Sequence, residues 1–271
     1  MTSSLEERTA TRARARWAVV GEWLTPIAAA VQFLTVMPPL VRRPFTPEEL
    51  GRSVGWFPLV GLLLGGLLAG LDWCLAWLFP PGVAAALVLA CWVLGTGALH
   101  LDGFLDACDG LLGGHTPEAR LRIMRDERAG AFAVIGGILL CLVKYAALAA
   151  NPDRLEALIV APVVGRWGMA IAVVGFPYGR TEGLGRAMKD HAHWPQVVLA
   201  SLFAVSAVCG AVWRDWRALP VLPLAAAVTW IGGRLVLRRL PGLTGDIYGA
   251  SCEFLEAVVL QAFVAGVTHA I

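Results

Sequence analysis

Seven apolar stretches of about 20 residues constrain this chain more than any other feature, because that length crosses the hydrocarbon core of a bilayer as a helix. They run over residues 56–79, 83–101, 131–150, 155–176, 194–213, 219–237 and 250–271. A further apolar stretch, 17–40, is interrupted by Glu22, Pro26 and Gln32 and ends in Pro38-Pro39. Inside a bilayer the backbone has no water to bond to, so consecutive spans of this kind must be helical. Composition agrees. The chain is 58% hydrophobic and only 15% charged, too few charges to cover the surface of a soluble domain of this size. The expectation is an all-α, polytopic helical membrane protein with about seven transmembrane helices in a single integral membrane domain, 1–271. The net charge of +2 gives no reason to expect a nucleic-acid partner.

Orientation follows from where the positive charge lies. The N-terminal arm carries Arg8, Arg12, Arg14 and Arg16, and the segment before the first clear span carries Arg42, Arg43 and Arg52. With both inside, 17–40 is a re-entrant or in-plane helix. The later loops then alternate. Arg120, Arg122, Arg125 and Arg128, then Arg180, Arg186 and Lys189, then Arg238 and Arg239 fall inside, against Arg154, Arg214 and Arg217 outside. The arm has no apolar core followed by a small-residue cleavage site, so no cleaved signal peptide is expected. The six cysteines form no CxxC pair and read as small packing residues.

The segment 102–130, on the inner side, carries the most informative chemistry. Asp102, Asp106 and Asp109 are spaced i, i+4, i+7, which places them on one stripe of a helix. Three like charges together call for a cation, and Mg²⁺ takes carboxylate oxygens together with substrate phosphates. Leu101, Phe104 and Leu105 give the other face an apolar character. Beyond a helix start at Thr116-Pro117, Arg122, Arg125 and Arg128 recur at three-residue spacing with Asp126 among them. Arginines of this kind hold phosphate oxygens. His100 and His115 are not spaced as zinc ligands and read as polar packing and loop residues.

Lys144 and Arg166 fall inside spans, where an ionic side chain needs a partner or a cavity. Thr244-Gly245-Asp246 opens the last span, where backbone N–H groups can face an anion. Glu253 lies seven residues after Asp246 on the same face.

Together these residues resemble the cobalamin synthase (adenosylcobinamide-GDP ribazoletransferase) family. The resemblance is carried by Gln32-Phe-Leu-Thr35, Phe57-Pro-Leu-Val-Gly61, His100-Leu-Asp-Gly with Asp106 and Asp109-Gly110, and Ile123-Met-Arg-Asp126 with Gly130. Glu182-Gly-Leu-Gly185 and Thr244-Gly-Asp246 with Gly249-Ala250 and Glu253 complete it. It implies a multi-pass enzyme of the bacterial inner membrane, its active site facing the cytoplasm. Such an enzyme joins adenosylcobinamide-GDP to α-ribazole or its 5′-phosphate with Mg²⁺ and releases GMP. Asp102, Asp106, Asp109 and Asp126 are then expected as metal ligands and catalytic groups. Arg125, Arg128, Lys144, Arg166, Glu182, Thr244, Gly245, Asp246 and Glu253 are expected to bind substrate. The expected partners are small-molecule substrates and the lipid bilayer, and an oligomer is compatible with the sequence. The competing readings are a membrane phosphotransferase acting on a nucleotide-activated lipid and a cation transporter that uses the acidic stripe.

Overall fold

A computed structural model describes residues 24–151 and 153–265. The polar arm and residues 17–23 of the first apolar stretch lie outside the described residues. From Leu24 onward that stretch forms helix α1, Leu24–Leu34, and then leaves the helical path. Gln32 fixes the exit, because its side-chain amide donates to the Val41 carbonyl at 3.2 Å and accepts from the Val41 N–H at 2.6 Å. Helix α2, Pro47–Ser53, opens on a Thr46–Glu49 capping box and continues through a short 3₁₀ turn into α3, Phe57–Leu75.

Six helical segments are long and apolar enough to cross a membrane, as the apolar runs require. They are α2 together with α3, then α7 (Ala131–Ala150), α8 (Leu155–Gly175), α10 (Trp194–Val212), α11 (Val221–Leu237) with the turn before it, and α12 (Gly245–Val264). The seventh expected span is broken. Its first half, α4 (Pro81–Gly95), is followed by α5 (Leu99–Gly113) at an angle of 88°. The break falls at Gly97 and Ala98, with φ of +61° and +57°. A left-handed alanine costs about 1–2 kcal/mol, so this turn is held against local preference. The stretch 102–130, taken from sequence as an inner segment between spans, is therefore largely helical, comprising the rest of α5 and the short α6 (Pro117–Ile123).

Helix α8 sits at the centre. Its span is 83% buried within the protein, against 22–28% for α7, α10 and α11, which fits a helix that is apolar on every side apart from Glu156 and Arg166, paired with Arg214 and Glu256 respectively. Helices α3, α10, α11 and α12 surround it, and α5 packs on α12 and α7. Helix α12 begins five residues before the expected 250, because Thr244 caps it by accepting from the Ile247 N–H at 3.3 Å. Of the six cysteines, all free, only Cys252 is buried; Cys74, Cys91 and Cys209 lie on the exterior rather than in the packed interior expected of them.

The alternation of loops seen in the sequence holds in three dimensions. At one end α2 packs on α9 (Leu184–His191), close to the residue 178–185 and 245–249 segments. At the other end Arg154 bonds Asp72 and the Pro81 carbonyl, and Arg214 bonds Glu156. Arg217 pairs with Asp215 there as well. Each basic residue of that end is thus offset by an acid, which leaves the excess positive charge at the opposite end. Trp73, Trp77, Trp213 and Trp216 are all exposed around the end that carries Arg154 and Arg214, as expected where amphipathic rings sit at a membrane–water boundary. In a protein freed of native cysteines, Glu118→Cys and Trp213→Cys should react with an impermeant thiol reagent from opposite sides of sealed vesicles. Labelling of both from one side would refute this two-ended arrangement.

Candidate active site

A cavity of about 510 Å³ opens at the end that carries the inner segments. Its polar wall is built from Asp102 on α5, Arg125 just after α6, Arg180 and Glu182 in the loop after α8, and Gly245 and Asp246 at the start of α12. Its apolar wall comes from Phe33, Phe57, Met169, Val173 and Met188. Residues more than 100 positions apart in sequence therefore meet here, as the shared face of 102–130 and 241–249 requires.

The loop after α8 is placed by a backbone pairing with the segment before α12. The Gly179 N–H donates to the Leu243 carbonyl at 2.7 Å, and the Leu243 N–H donates to the Pro177 carbonyl at 2.8 Å. Both strands of this contact need glycine. A Cβ at Gly179 would lie 2.6 Å from the Gly242 carbonyl oxygen, and one at Gly242 would lie 2.5 Å from the Gly179 nitrogen. The pairing sets Arg180 against Asp246, with a nitrogen-to-oxygen distance of 2.7 Å. Arg180 also donates to the Met124 carbonyl at 3.4 Å, drawing the end of α6 to the cavity. Asp246 does not cap its helix. Thr244 does so, and its hydroxyl lies 3.2 Å from Asp246 Oδ2. Sequence reasoning included Asp246 but not Arg180. The signal for it was the need of a half-buried carboxylate for a cation, together with the glycine-rich loop that carries it.

On α5, Asp102 is exposed to the cavity, and Asp106 lies one turn further along the same stripe. Asp106 is acted on by the negative charges of Asp102, Asp246 and Asp109 and by the positive charge of Arg180. Asp109 is engaged differently from its neighbours. Its carboxylate accepts from the Gly130 N–H at 2.5 Å and the Ala133 N–H at 2.9 Å, so it caps the N-terminus of α7. Tyr178 stands behind Arg180, and burial pushes its phenol above the ordinary range.

Other residues expected at the site lie away from the cavity. Asp126 and Arg128 face outward and bond each other at 3.0 Å, and those bonds hold the Asp126 carboxyl below its usual range. Lys144, Arg166 and Glu253 form a buried cluster with Glu256. Lys144 Nζ lies 2.8 Å from Glu253 and 2.6 Å from Glu256, and 4.4 Å from the centre of the Trp92 ring. Arg166 bonds the other oxygen of Glu256 and the Pro162 carbonyl. Two cations and two carboxylates here neutralise one another. Among the described residues, no group of three or more His, Cys, Asp and Glu side chains is placed to hold a metal ion without further ligands.

This cavity lies within a chain that matches the family model described as cobalamin-5-phosphate synthase over residues 26–264. The chain belongs to that family. It is 40% identical to the adenosylcobinamide-GDP ribazoletransferase of Pseudomonas savastanoi pv. phaseolicola, over 88% of this chain and 98% of that one. The protein of the same name from Pseudomonas fluorescens strain Pf0-1 is 42% identical over 88% and 98% of the two chains. The one from Roseiflexus sp. strain RS-1 is 36% identical over 95% and 94%. No solved structure matches the chain.

Two substitutions separate structure from chemistry. Lys144→Met strips one cation from two buried carboxylates and should destabilise the protein by about 3–5 kcal/mol. Adding Glu253→Gln should recover part of that loss in thermal unfolding of the detergent-solubilised protein. Asp109→Asn keeps one of the two acceptor oxygens that cap α7, so it should cost about 1 kcal/mol of stability and leave the fold and most turnover intact. A turnover loss equal to that of Asp102→Asn would show that Asp109 does more than cap α7.

Proposed function

We propose that this chain is an adenosylcobinamide-GDP ribazoletransferase of the bacterial inner membrane, its cavity facing the cytoplasm. It joins adenosylcobinamide-GDP to α-ribazole or its 5′-phosphate and releases GMP. The observation that carries this reading is the cavity itself: Asp102, with Asp106 one turn behind it on the same stripe, a carboxylate–guanidinium pair and Arg125 stand around one opening, backed by an apolar wall. The relatives, each an adenosylcobinamide-GDP ribazoletransferase by name, supply the substrate class.

The donor set fits Mg²⁺. That ion is usually held by one or two carboxylates plus substrate phosphates rather than by an all-protein cage. Asp102 and Asp106, unlike Asp109, are not used as a helix cap, and a bound cation would relieve their mutual repulsion. These two would hold the ion, which when bound supplies neutralisation of the diphosphate charge. Arg125 and the Arg180 guanidinium bind phosphate oxygens along the polar wall. The aromatic base of the ribazole packs against the apolar wall at Phe33, whose ring is backed by that of the buried Phe57 at 6.1 Å.

With α-ribazole as acceptor, its 5′-hydroxyl oxygen bonds to the phosphorus attached to cobinamide. The bond from that phosphorus to the GMP oxygen breaks. GMP leaves, and the hydroxyl proton passes to a carboxylate of the Asp102–Asp106 pair. Asp246 is the poorer proton acceptor because Arg180 already bonds it. The cation-transporter reading fares worse. It needs acids along a path through the bilayer, whereas these gather at one end, and the intramembrane charges near them are paired with each other.

Purified protein given adenosylcobinamide-GDP, α-ribazole and Mg²⁺ should form the joined product and GMP, read by mass spectrometry. Release of CMP from a nucleotide-activated lipid instead would favour the related phosphotransferase. Asp102→Asn and Asp106→Asn should each cut turnover by about 100-fold or more, with unchanged size-exclusion profiles. Full activity in chelated buffer would remove Mg²⁺ from the account. Asp246→Asn should also lower turnover while the helix remains capped by Thr244; wild-type rates would confine the site to α5 and Arg125.

A further inference from the structure

The intramembrane ion cluster reaches the cavity through His100. This side chain is almost fully buried at 1% exposure, lines the cavity, and places Nδ1 3.4 Å from an Arg166 guanidinium nitrogen. A guanidinium can only donate. Nδ1 must therefore be the acceptor, and a neutral imidazole that accepts at Nδ1 carries its hydrogen on Nε2. That Nε2 is buried and has no protein partner. The Tyr248 hydroxyl, also on a buried side chain that lines the cavity, has none either. The two lie where α12 crosses α5, with Gly249 against the His100 backbone. Buried polar groups in native proteins are nearly always satisfied, so two orphans on one cavity wall point to a ligand that completes them.

We propose that His100 Nε2–H is a hydrogen-bond donor to a phosphoryl oxygen of the bound substrate, assisted by the Tyr248 hydroxyl, in a tautomer imposed by Arg166. This rests on the phosphoryl-transfer reading of the cavity. His100 then contributes a fixed dipole aimed at developing charge, and it does not act as a proton acceptor. Arg166 is a positioning residue. Glu256 holds its fork, and Lys144 and Glu253 complete the charge balance around Glu256. The cluster is thus the scaffold of a single donor rather than part of the binding surface.

The test uses full-length protein in nanodiscs with ¹⁵N-labelled histidine, and the His100→Gln variant identifies the resonance. The expected spectrum at neutral pH shows the Nε2–H tautomer. Arg166→Lys, which keeps the charge but loses the fork, should admit the other tautomer. Adding adenosylcobinamide-GDP should move the Nε2 resonance. His100→Gln, which keeps an N–H donor, should retain most turnover, whereas His100→Leu should lose about 100-fold. An Nδ1–H tautomer in the wild type, or a fully active His100→Leu enzyme, would overturn the proposal. So would a folded His100→Gln protein as inactive as His100→Leu. Turnover with an unmoved Nε2 resonance refutes the donor and leaves the reaction standing. A resonance that moves in protein releasing no GMP refutes the reaction and leaves the donor.

Discussion

The rest of the structure hangs on four charges placed where charge is most expensive. Lys144, Arg166, Glu253 and Glu256 lie on three different spans, α7, α8 and α12, and all are buried. An unpaired ion at that depth costs several kcal/mol, so any slippage of one helix against another exposes an uncompensated charge. Apolar packing between helices in lipid is permissive, because lipid tails are as apolar as leucine. The ion cluster supplies the register that such packing lacks. Glu253 and Glu256, three residues apart on α12, fix that helix against α7 and α8 together. This in turn sets the height of its N-terminus, where Gly245 and Asp246 meet the cavity.

A second constraint sits at the surface end. The Gly97–Ala98 turn swings α5 by 88° from α4. Without that turn the acidic stripe would continue along the line of a span. With it, α5 lies along α12 and α7, with Asp102 open to the cavity and Asp109 turned to the first N–H groups of α7. One periodic stripe therefore divides into two functions, since the far carboxylate meets a helix N-terminus and the near ones do not.

Much of this was legible in the residues. Apolar length gave the spans, and the run at Ala131–Ala150 coincides with α7 to the residue. Charge bias separated the two ends. The break at Thr96–Ala98 was not legible, because Gly and Ala are as apolar as their neighbours and hydropathy does not register the sign of φ. Among the residues singled out from sequence, Asp102, Arg125, Glu182, Gly245 and Asp246 line one cavity. Lys144, Arg166 and Glu253 do not line it, because a charge inside a span announces only that it has a partner. Whether the partner is a substrate or another side chain depends on three-dimensional pairing. Glu256, the residue that settles this, sits in a run of apolar residues that hid it.

The cavity's two walls have separate origins, and this bears on why such chemistry sits in a membrane protein. Phe57, Met169 and Val173 belong to the ends of spans α3 and α8. Their apolar character is the same property that inserts those helices into lipid. The polar wall is made from short connections and helix starts, the parts of a polytopic chain free to carry charge. A pocket at the junction of the two is amphipathic without any element specialised for it. Hydrogen bonds made beside an apolar wall are electrostatically stronger than those made in open water. The membrane-spanning architecture thus provides both the low-dielectric wall and the fixed dipoles that a charged, transferring group requires.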